Sequence, residues 1–222
     1  MSQNNGELAF SRKYDNGHSR AYFEKHRRGL RRRLSHAREV TLARQALAAA
    51  GHPDSILDLP CGTGRFWPTL IQSGASRLIG ADFSEPMLSI AAALQPPGIA
   101  SAFELIRTSA FDIPLKDDAV DCIFCMRLLH HVGDAHDRKR MLAEFHRVAK
   151  QSVCLSLWVD GNYQAGRRRR LEAKRSRRAY QNRFIVPAEI IEAEFRDTGF
   201  DIITRLDFLR RISMWRVYVL SR

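Results

Sequence analysis

The feature that most constrains the fold is a short apolar strand that ends at an acid and runs into a glycine-rich turn. Residues 56–59 read Ile-Leu-Asp-Leu, and Gly62 and Gly64 follow before a helix predicted over 66–73. Glycines in such a turn let the backbone approach a ligand closely. In open α/β sheets, ligands lie at the carboxyl ends of the strands. The pattern therefore predicts a ligand-binding crevice at the end of the first strand.

A second predicted strand, residues 77–82, ends in Asp82, which lies 18 residues after Gly64. A carboxylate at that point is placed to bind ribose hydroxyls. Dinucleotide-binding folds share this spacing, so a Rossmann dehydrogenase is the alternative on these residues. Against it, the third glycine of G-x-G-x-x-G would stand at position 67, where this chain has Trp67. No Gly-Lys-Ser/Thr follows the turn, which excludes a phosphate-binding P-loop.

Strands and helices alternate along most of the chain. Further strands are predicted at 103–107, 119–126 and 152–159, and helices at 20–50, 85–94, 137–149 and 187–198. This alternation predicts a doubly wound α/β fold with a mostly parallel sheet between two helical layers. The last two predicted strands, 200–208 and 214–220, are joined by a link too short for a crossover helix. They are therefore predicted to pair antiparallel and close the sheet.

The positive charge of the chain is concentrated in two segments. The whole chain has 36 Lys and Arg against 24 Asp and Glu, a formal net charge of +12. Residues 12–36 hold nine of the basic residues against two acids, and residues 161–183 hold nine against one. Clustered arginine favours anionic partners such as phosphate, nucleic acid or an acidic lipid surface. The alternative is that both segments are solvated helix faces.

Membrane-spanning, exported and disulfide-rich classes are not expected. No apolar run approaches the roughly 18 residues needed to cross a bilayer. Residues 1–7 are polar and lack the apolar core of a signal peptide. Four cysteines in 222 residues do not make a disulfide scaffold. We therefore expect a cytoplasmic protein, with contact at the inner face of the membrane as a further option.

A C-x-x-C motif, Cys122 and Cys125, precedes His130 and His131 and superficially suggests zinc. The two cysteines lie three residues apart on a predicted buried strand, so their side chains are expected on opposite faces of the sheet. A structural zinc site needs four convergent ligands. We therefore expect no metal.

Four motifs, taken together in their order and spacing, resemble the class I S-adenosylmethionine-dependent methyltransferases. They are residues 58–65 (DLPCGTGR), 79–88 (IGADFSEPML), 109–115 (SAFDIPL) with 120–124 (VDCIF), and 129–132 (LHHV). The resemblance covers about residues 40–160 and is greatest to the branch that includes quinone and small-molecule methyltransferases. It implies a Rossmann-like fold, S-adenosylmethionine as cofactor and methyl transfer as the reaction.

The resemblance also implies which residues bind the cofactor. They are Asp58, Pro60, Cys61, Gly62, Gly64, Asp82, Phe83, Met87, Ser109, Ala110, Asp112, Met126 and Leu129. Asp82 is expected to accept hydrogen bonds from the ribose hydroxyls. Two residues depart from the family pattern. Pro60 replaces the usual first glycine and removes an amide donor, and Ser109 stands where many members have an aspartate, which moves the expected adenine contact towards Asp112.

Candidate catalytic residues follow the fourth and fifth predicted strands: His130, His131 and Asp160. A histidine close to the donor methyl group is able to act as general base for an acceptor hydroxyl. The alternative is that one histidine caps the next helix and the other packs against the cleft. Candidate acceptor-binding residues are Tyr14, Tyr22, Tyr163, Arg168 and Arg169.

The expected organisation is a basic helical or lid segment over residues 1–50 and a methyltransferase domain over 51–222, with a basic insertion at 161–186. We expect the acceptor to be an anionic small molecule or a lipid-linked compound. The first alternative is an RNA methyltransferase whose arginine-rich segments bind phosphates. The second is a non-catalytic interaction protein that binds the cofactor.

Overall fold

A computed structural model describes residues 30–173 and 183–222 of the chain. The strands in these residues form one sheet. These strands are β1 (Ser55–Asp58), β2 (Arg77–Asp82), β3 (Phe103–Arg107), β4 (Val120–Cys125), β5 (Ala149–Trp158), β6 (Asp201–Asp207) and β7 (Trp215–Ser221). They lie in the order β3-β2-β1-β4-β5-β7-β6. Strands β1 to β5 pair in parallel, and β7 is antiparallel to both β5 and β6. The predicted doubly wound sheet with its antiparallel closing pair is confirmed.

Helices cover both faces of this sheet. They are α1 (Leu30–Ala49), α2 (Trp67–Ile71), α3 (Glu85–Leu94), α4 (Pro97–Ala100), α5 (Ala135–Val148), α6 (Tyr163–Ala173) and α7 (Ala188–Asp197), with a 3-10 turn at Leu129–His131. Helix α6 forms the first part of the basic insertion, in agreement with the alternative that this segment is helical. Tyr14 and Tyr22 lie outside the described residues. No described helix is long and apolar enough to cross a membrane.

The two faces of β1 supply two separate apolar cores. Side chains alternate across a strand, so Leu57 enters the core formed with α5 and α7, where Phe145 and Phe195 are buried. Its neighbour Ile56 enters the opposite core, formed with α1 and α2, where Trp67 is buried. Because both faces are covered, the successive residues Ile56 and Leu57 are both apolar, as expected for a strand of a parallel sheet.

The cysteines of the C-x-x-C motif follow the same alternation. Cys122 belongs to the core on the α1 side and Cys125 to the core on the α5 side. The Cys122 Sγ atom lies 4.0 Å from Sγ of Cys154, on the neighbouring strand β5. The predicted placement on opposite faces is confirmed, so the two cysteines of the motif do not converge on one site.

A buried ion pair ties α5 to α7. Arg138 donates to the Glu194 carboxylate through Nε at 2.7 Å and through Nη2 at 2.5 Å. The side chains are only 5% and 4% exposed. The same guanidinium donates to the carbonyls of Val132 and Gly133, which follow the 3-10 turn. The pair therefore fixes the backbone that carries the two candidate histidines.

Removing one partner of this pair should destabilise the protein strongly. Arg138→Met leaves the Glu194 carboxylate buried without its cation, which costs about 3–5 kcal/mol of unfolding free energy. Urea denaturation measures the loss. The matched control is Lys139→Met, which removes an exposed pair with Asp197 between the same two helices. It should change the unfolding free energy little, and equal losses in the two variants would contradict this account.

Candidate functional site

A cleft opens at the carboxyl end of the sheet, where β1, β2 and β4 end side by side. Its empty volume, including the part open to solvent, is about 1150 Å³. Nine of the predicted cofactor-binding residues line it: Pro60, Cys61, Gly62, Asp82, Phe83, Met87, Ser109, Ala110 and Met126. His130 and His131 line it as well. The structure therefore gathers most of the predicted residues into one cavity.

The Asp82 carboxylate joins the end of β2 to the turn after β1. Its Oδ2 accepts the Gly62 N–H at 2.9 Å, and its Oδ1 accepts the Ser84 N–H at 2.8 Å. The Cys61 N–H donates to the Ala81 carbonyl at 2.8 Å and adds a second link between the two strand ends. Asp82 is thus held in one orientation in the cleft wall before any ligand arrives.

The turn needs glycine at two positions for different reasons. Gly62 has φ of +55° and Gly64 has φ of +74°, both in the left-handed region. A Cβ on Gly64 would lie 2.6 Å from the Trp67 ring, whereas a Cβ on Gly62 would meet nothing within 4 Å. The Gln95 side-chain amide donates to the carbonyls of Thr63 and Gly64 and fixes the turn from outside.

The remaining four predicted cofactor residues do not line the cleft. Asp58 is buried beneath the turn, Gly64 packs against Trp67, and Leu129 is buried in the core on the α5 side. Asp112 is exposed, and its carbonyl accepts the Thr108 hydroxyl. Ser109 lines the cavity and Asp112 does not, so the structure favours Ser109 over Asp112 as the residue near an adenine.

Burial sets the charge of the two acids at the strand ends. It raises the pKa of Asp82 to about 6, although the N–H groups of Ser84 and Gly62 stabilise the carboxylate and limit the rise. Burial also raises the pKa of Asp58 well above its usual range, and the neighbouring Asp82 charge adds to the effect. With a pKa of about 6, Asp82 is mostly ionised at neutral pH.

His130 lies in an aromatic cluster at the other end of the cleft. It is 2% exposed, and its ring stacks on Trp158 at 4.8 Å and meets the Trp215 ring edge-on. Its Nδ1 atom is buried without a hydrogen-bond partner in the described part of the chain. Burial above all, and then electrostatic interactions with His131 and Arg127, lower the pKa of His130. His130 is therefore a neutral ring and a weak base, which suits packing better than proton transfer.

Neither histidine caps the helix that follows. The cap of α5 is Asp134, whose Oδ1 accepts the N–H groups of His136 at 2.8 Å and Asp137 at 3.2 Å. The alternative expectation of a capping histidine is therefore wrong. The other half of that expectation, a histidine packed against the cleft, describes His130.

Four predicted catalytic or acceptor-binding residues lie outside the cleft wall. Asp160 accepts the Ala188 N–H at 3.0 Å at the start of α7 and pairs with Arg169 at 3.2 Å. Arg168 pairs with Glu172 on its own helix, and Tyr163 is 69% exposed. The structure accordingly gives Asp160, Arg168 and Arg169 local partners and leaves Tyr163 in solvent.

Three arginines of the cleft wall were not predicted from the sequence. They are Arg65, Arg127 and Arg183. Glu39 of α1 reaches two of them, Arg65 Nη2 at 2.7 Å and Arg127 Nη1 at 2.9 Å. Arg127 has φ of +69°, a backbone conformation uncommon outside glycine. A charged residue directly after the predicted strand 119–126 was the available signal for Arg127. Nothing local marks Glu39, since its partners are distant in sequence.

Alanine at the two glycines should separate backbone strain from steric clash. Gly62→Ala should lower the unfolding free energy by about 1–2 kcal/mol, the cost of a left-handed L-residue. Gly64→Ala adds the clash with the buried Trp67 ring, which costs about 1–3 kcal/mol more. Urea denaturation of both variants measures the difference. Equal losses would show that Trp67 does not confine Gly64.

The chain is similar in sequence to known methyltransferases over its central part. Residues 57–156 match the family described as methyltransferase domain. The demethylmenaquinone methyltransferase of Oceanobacillus iheyensis is 29% identical over 148 residues, which cover 64% of this chain and 56% of the relative. The tRNA (carboxymethyluridine(34)-5-O)-methyltransferase of Arabidopsis thaliana is 27% identical over 106 residues, 47% of this chain and 24% of that protein. The chain thus spans about a quarter to just over half the length of these relatives.

The fold is similar over nearly the whole chain to a solved structure. Magnesium protoporphyrin IX methyltransferase from Synechocystis PCC 6803, determined with bound SAH, superposes with a TM-score of 0.78 at 18% identity. The match covers 97% of this chain and 100% of the solved chain. At this identity the similarity establishes the fold.

Proposed function

We propose that the chain is a class I S-adenosylmethionine-dependent methyltransferase and that it transfers a methyl group to an anionic small-molecule or lipid-linked acceptor. The observation that carries the proposal is the cleft itself. A buried carboxylate and a glycine turn stand side by side in one wall, where two parallel strands end. Fold alone does not fix an activity, whereas these residues form a site that suits a nucleoside.

The residues of the cleft fit the cofactor. A carboxylate has about four acceptor positions, and Asp82 uses two of them on backbone N–H groups. The remaining positions are available for the two ribose hydroxyls. Phe83, Met87 and Ala110 supply an apolar surface for the adenine. The Gly62 turn lets the backbone approach the ligand without a side chain in the way.

For methyl transfer, the protein mainly has to position the donor and the acceptor. When bound, S-adenosylmethionine supplies a methyl group on a sulfonium. The acceptor atom attacks the methyl carbon from the side opposite the sulfur, which leaves. Holding donor and acceptor in this alignment therefore accounts for much of the rate. An oxygen or nitrogen acceptor also loses one proton. We assign its capture to His131, which lines the cleft and is less deeply buried than His130.

Charge supports an anionic acceptor. Among the described residues that line the cleft, Asp82 is the only acid, whereas Arg65, Arg127 and Arg183 supply three cations. One carboxylate, that of Glu39, is shared by the first two. Excess positive charge in a partly enclosed cleft raises the local concentration of anions. An RNA acceptor is the second candidate, because one relative is a tRNA methyltransferase.

Binding of S-adenosylmethionine should depend on ionised Asp82. Asp82→Asn should weaken binding by about 1.5–3 kcal/mol, because a carboxamide cannot accept at both oxygens. In the unmodified protein, affinity should fall as the pH drops below about 6, since protonated Asp82 loses acceptor capacity. The variant should lack this pH dependence. Isothermal titration calorimetry across this pH range measures both effects.

Two controls make this test specific. Asp112→Asn changes an exposed acid next to the cleft wall and should leave the affinity unchanged. If it weakens binding while Asp82→Asn does not, the assignment of the ribose contact fails. Titration with NAD tests the dehydrogenase alternative, because binding of NAD without binding of S-adenosylmethionine would overturn the proposed function.

Methyl-labelled S-adenosylmethionine identifies the acceptor class. The protein is incubated with the labelled donor and fractionated cell extract, and label is expected in the lipid or small-molecule fraction. The Asp82→Asn variant is the matched blank. Label confined to RNA would replace the proposed acceptor with the second candidate. Tight donor binding without label in any fraction would favour a non-catalytic binding protein.

A further inference from the structure

We infer that the outer face of α6 and the tip of the β6–β7 hairpin form a docking surface for an anionic lipid bilayer. The docking surface consists of Tyr163, Arg167, Arg170, Leu171, Leu209, Arg210, Arg211 and Ile212. It lies outside the cleft wall, and none of its residues has a part in the proposed chemistry. The docking surface itself does not depend on the proposed methyl transfer.

Exposed apolar side chains are concentrated on this surface. Eight large apolar residues are exposed in the described part of the chain, and four of them belong to the docking surface. They are Tyr163 at 69%, Leu171 at 48%, Leu209 at 49% and Ile212 at 51% exposure. Single exposed apolar residues need no explanation, but grouped ones mark an interaction site.

The helix divides its residues between two faces at the expected period. With about 100° per residue, Tyr163, Arg167 and Leu171 share one side of α6. The opposite side packs on the protein through Ala165, which is 1% exposed, and through Arg168. The four consecutive arginines at 167–170 are therefore not equivalent. Those on the outer face of α6 point away from the body of the protein.

The arginines of the docking surface differ from their neighbours in pairing. Arg168 and Arg169 pair with Glu172 and Asp160. By contrast, Arg167, Arg170, Arg210 and Arg211 are exposed and have no ion-pair partner among the described residues. Four uncompensated guanidinium groups next to four exposed apolar side chains complement an anionic headgroup layer over an apolar interior.

Main-chain hydrogen bonds hold the two parts of the surface together. The N–H groups of Tyr163 and Gln164 donate to the carbonyls of Arg211 and Ile212, each at 3.0 Å. The Met214 N–H donates to the Gln164 side chain at 3.3 Å. The hairpin tip thus caps the first turn of α6, and the two parts present one preformed surface.

The exposed aliphatic residues favour a membrane over RNA. Phosphates of a nucleic acid need only the arginines, and bases stack on aromatic rings. Leu171, Leu209 and Ile212 offer neither charge nor a flat ring. Burial of such side chains at the boundary of headgroups and acyl chains is favourable. The pattern of charge and apolarity is therefore that of an interfacial membrane contact.

The docking surface is also connected to the cleft. On the inner side of α6, the Arg168 guanidinium lies 4.7 Å from the centre of the Trp158 ring, which stacks on His130 in the cleft wall. Docking would thus place the cleft close to the bilayer, where a lipid-linked acceptor is found. This last step rests on the proposed function.

Co-sedimentation of the full chain with lipid vesicles tests the inference. We expect binding to vesicles of phosphatidylcholine mixed with phosphatidylglycerol, weak binding to phosphatidylcholine alone, and weaker binding in high salt. The double variant Arg167→Gln, Arg210→Gln should reduce binding by about 30-fold. The double variant Leu209→Ser, Ile212→Ser should reduce it by about tenfold or more.

The matched control carries Ile190→Ser and Arg196→Gln on the exposed face of α7, where Ile190 is 50% exposed. It should bind vesicles like the unmodified protein. Binding that depends on the arginine pair but not on the apolar pair would overturn the membrane assignment. Binding of tRNA in place of vesicles, or of neither, would overturn it too. Titration with S-adenosylmethionine on the same variants shows that they are folded, and it separates failure of this inference from failure of the proposed function.

Discussion

The hydrogen bond from the Gly62 amide to the Asp82 carboxylate is the contact on which the cleft depends. It joins the ends of two neighbouring parallel strands and so fixes the turn relative to the acid. The Ser84 amide holds the other carboxylate oxygen. Burial makes this carboxylate costly to ionise, and the two amides offset part of that cost. The preformed orientation of Asp82 is the basis of the proposed contact with the ribose hydroxyls.

The two ends of the cleft have opposite character. The end formed by β1 and β2 presents an acid and a bare backbone turn, which suits a neutral sugar with hydroxyl donors. The end formed after β4 presents arginines and an aromatic cluster around His130. Glu39 of α1 pairs with Arg127 at this second end and also with Arg65, which follows the glycine turn. This division of charge supports a nucleoside-containing donor at one end and an anionic acceptor at the other.

The sequence predicts the strand frame and the acidic end of the cleft much better than the cationic end. The patterns of residues 77–82, 85–94 and 103–107 are local, and their predicted bounds agree with the structure. The place of Arg183 in the cleft wall was not predicted, because it depends on contacts with residues that are distant along the chain. Local chemistry did not reveal that Asp160 has a structural partner, the Ala188 N–H at the start of α7. Arg168 shows the same limit, since its partner Glu172 lies one turn away on the same helix.

A crystal structure of the protein with S-adenosylhomocysteine tests the central claim most directly. The account predicts the ribose hydroxyls within hydrogen-bond distance of the Asp82 carboxylate, and the adenine against Phe83, Met87 and Ala110. The homocysteine sulfur should point towards the end of the cleft that contains His131 and Arg127. A nucleoside bound elsewhere, or bound in the cleft without a contact to Asp82, would contradict it.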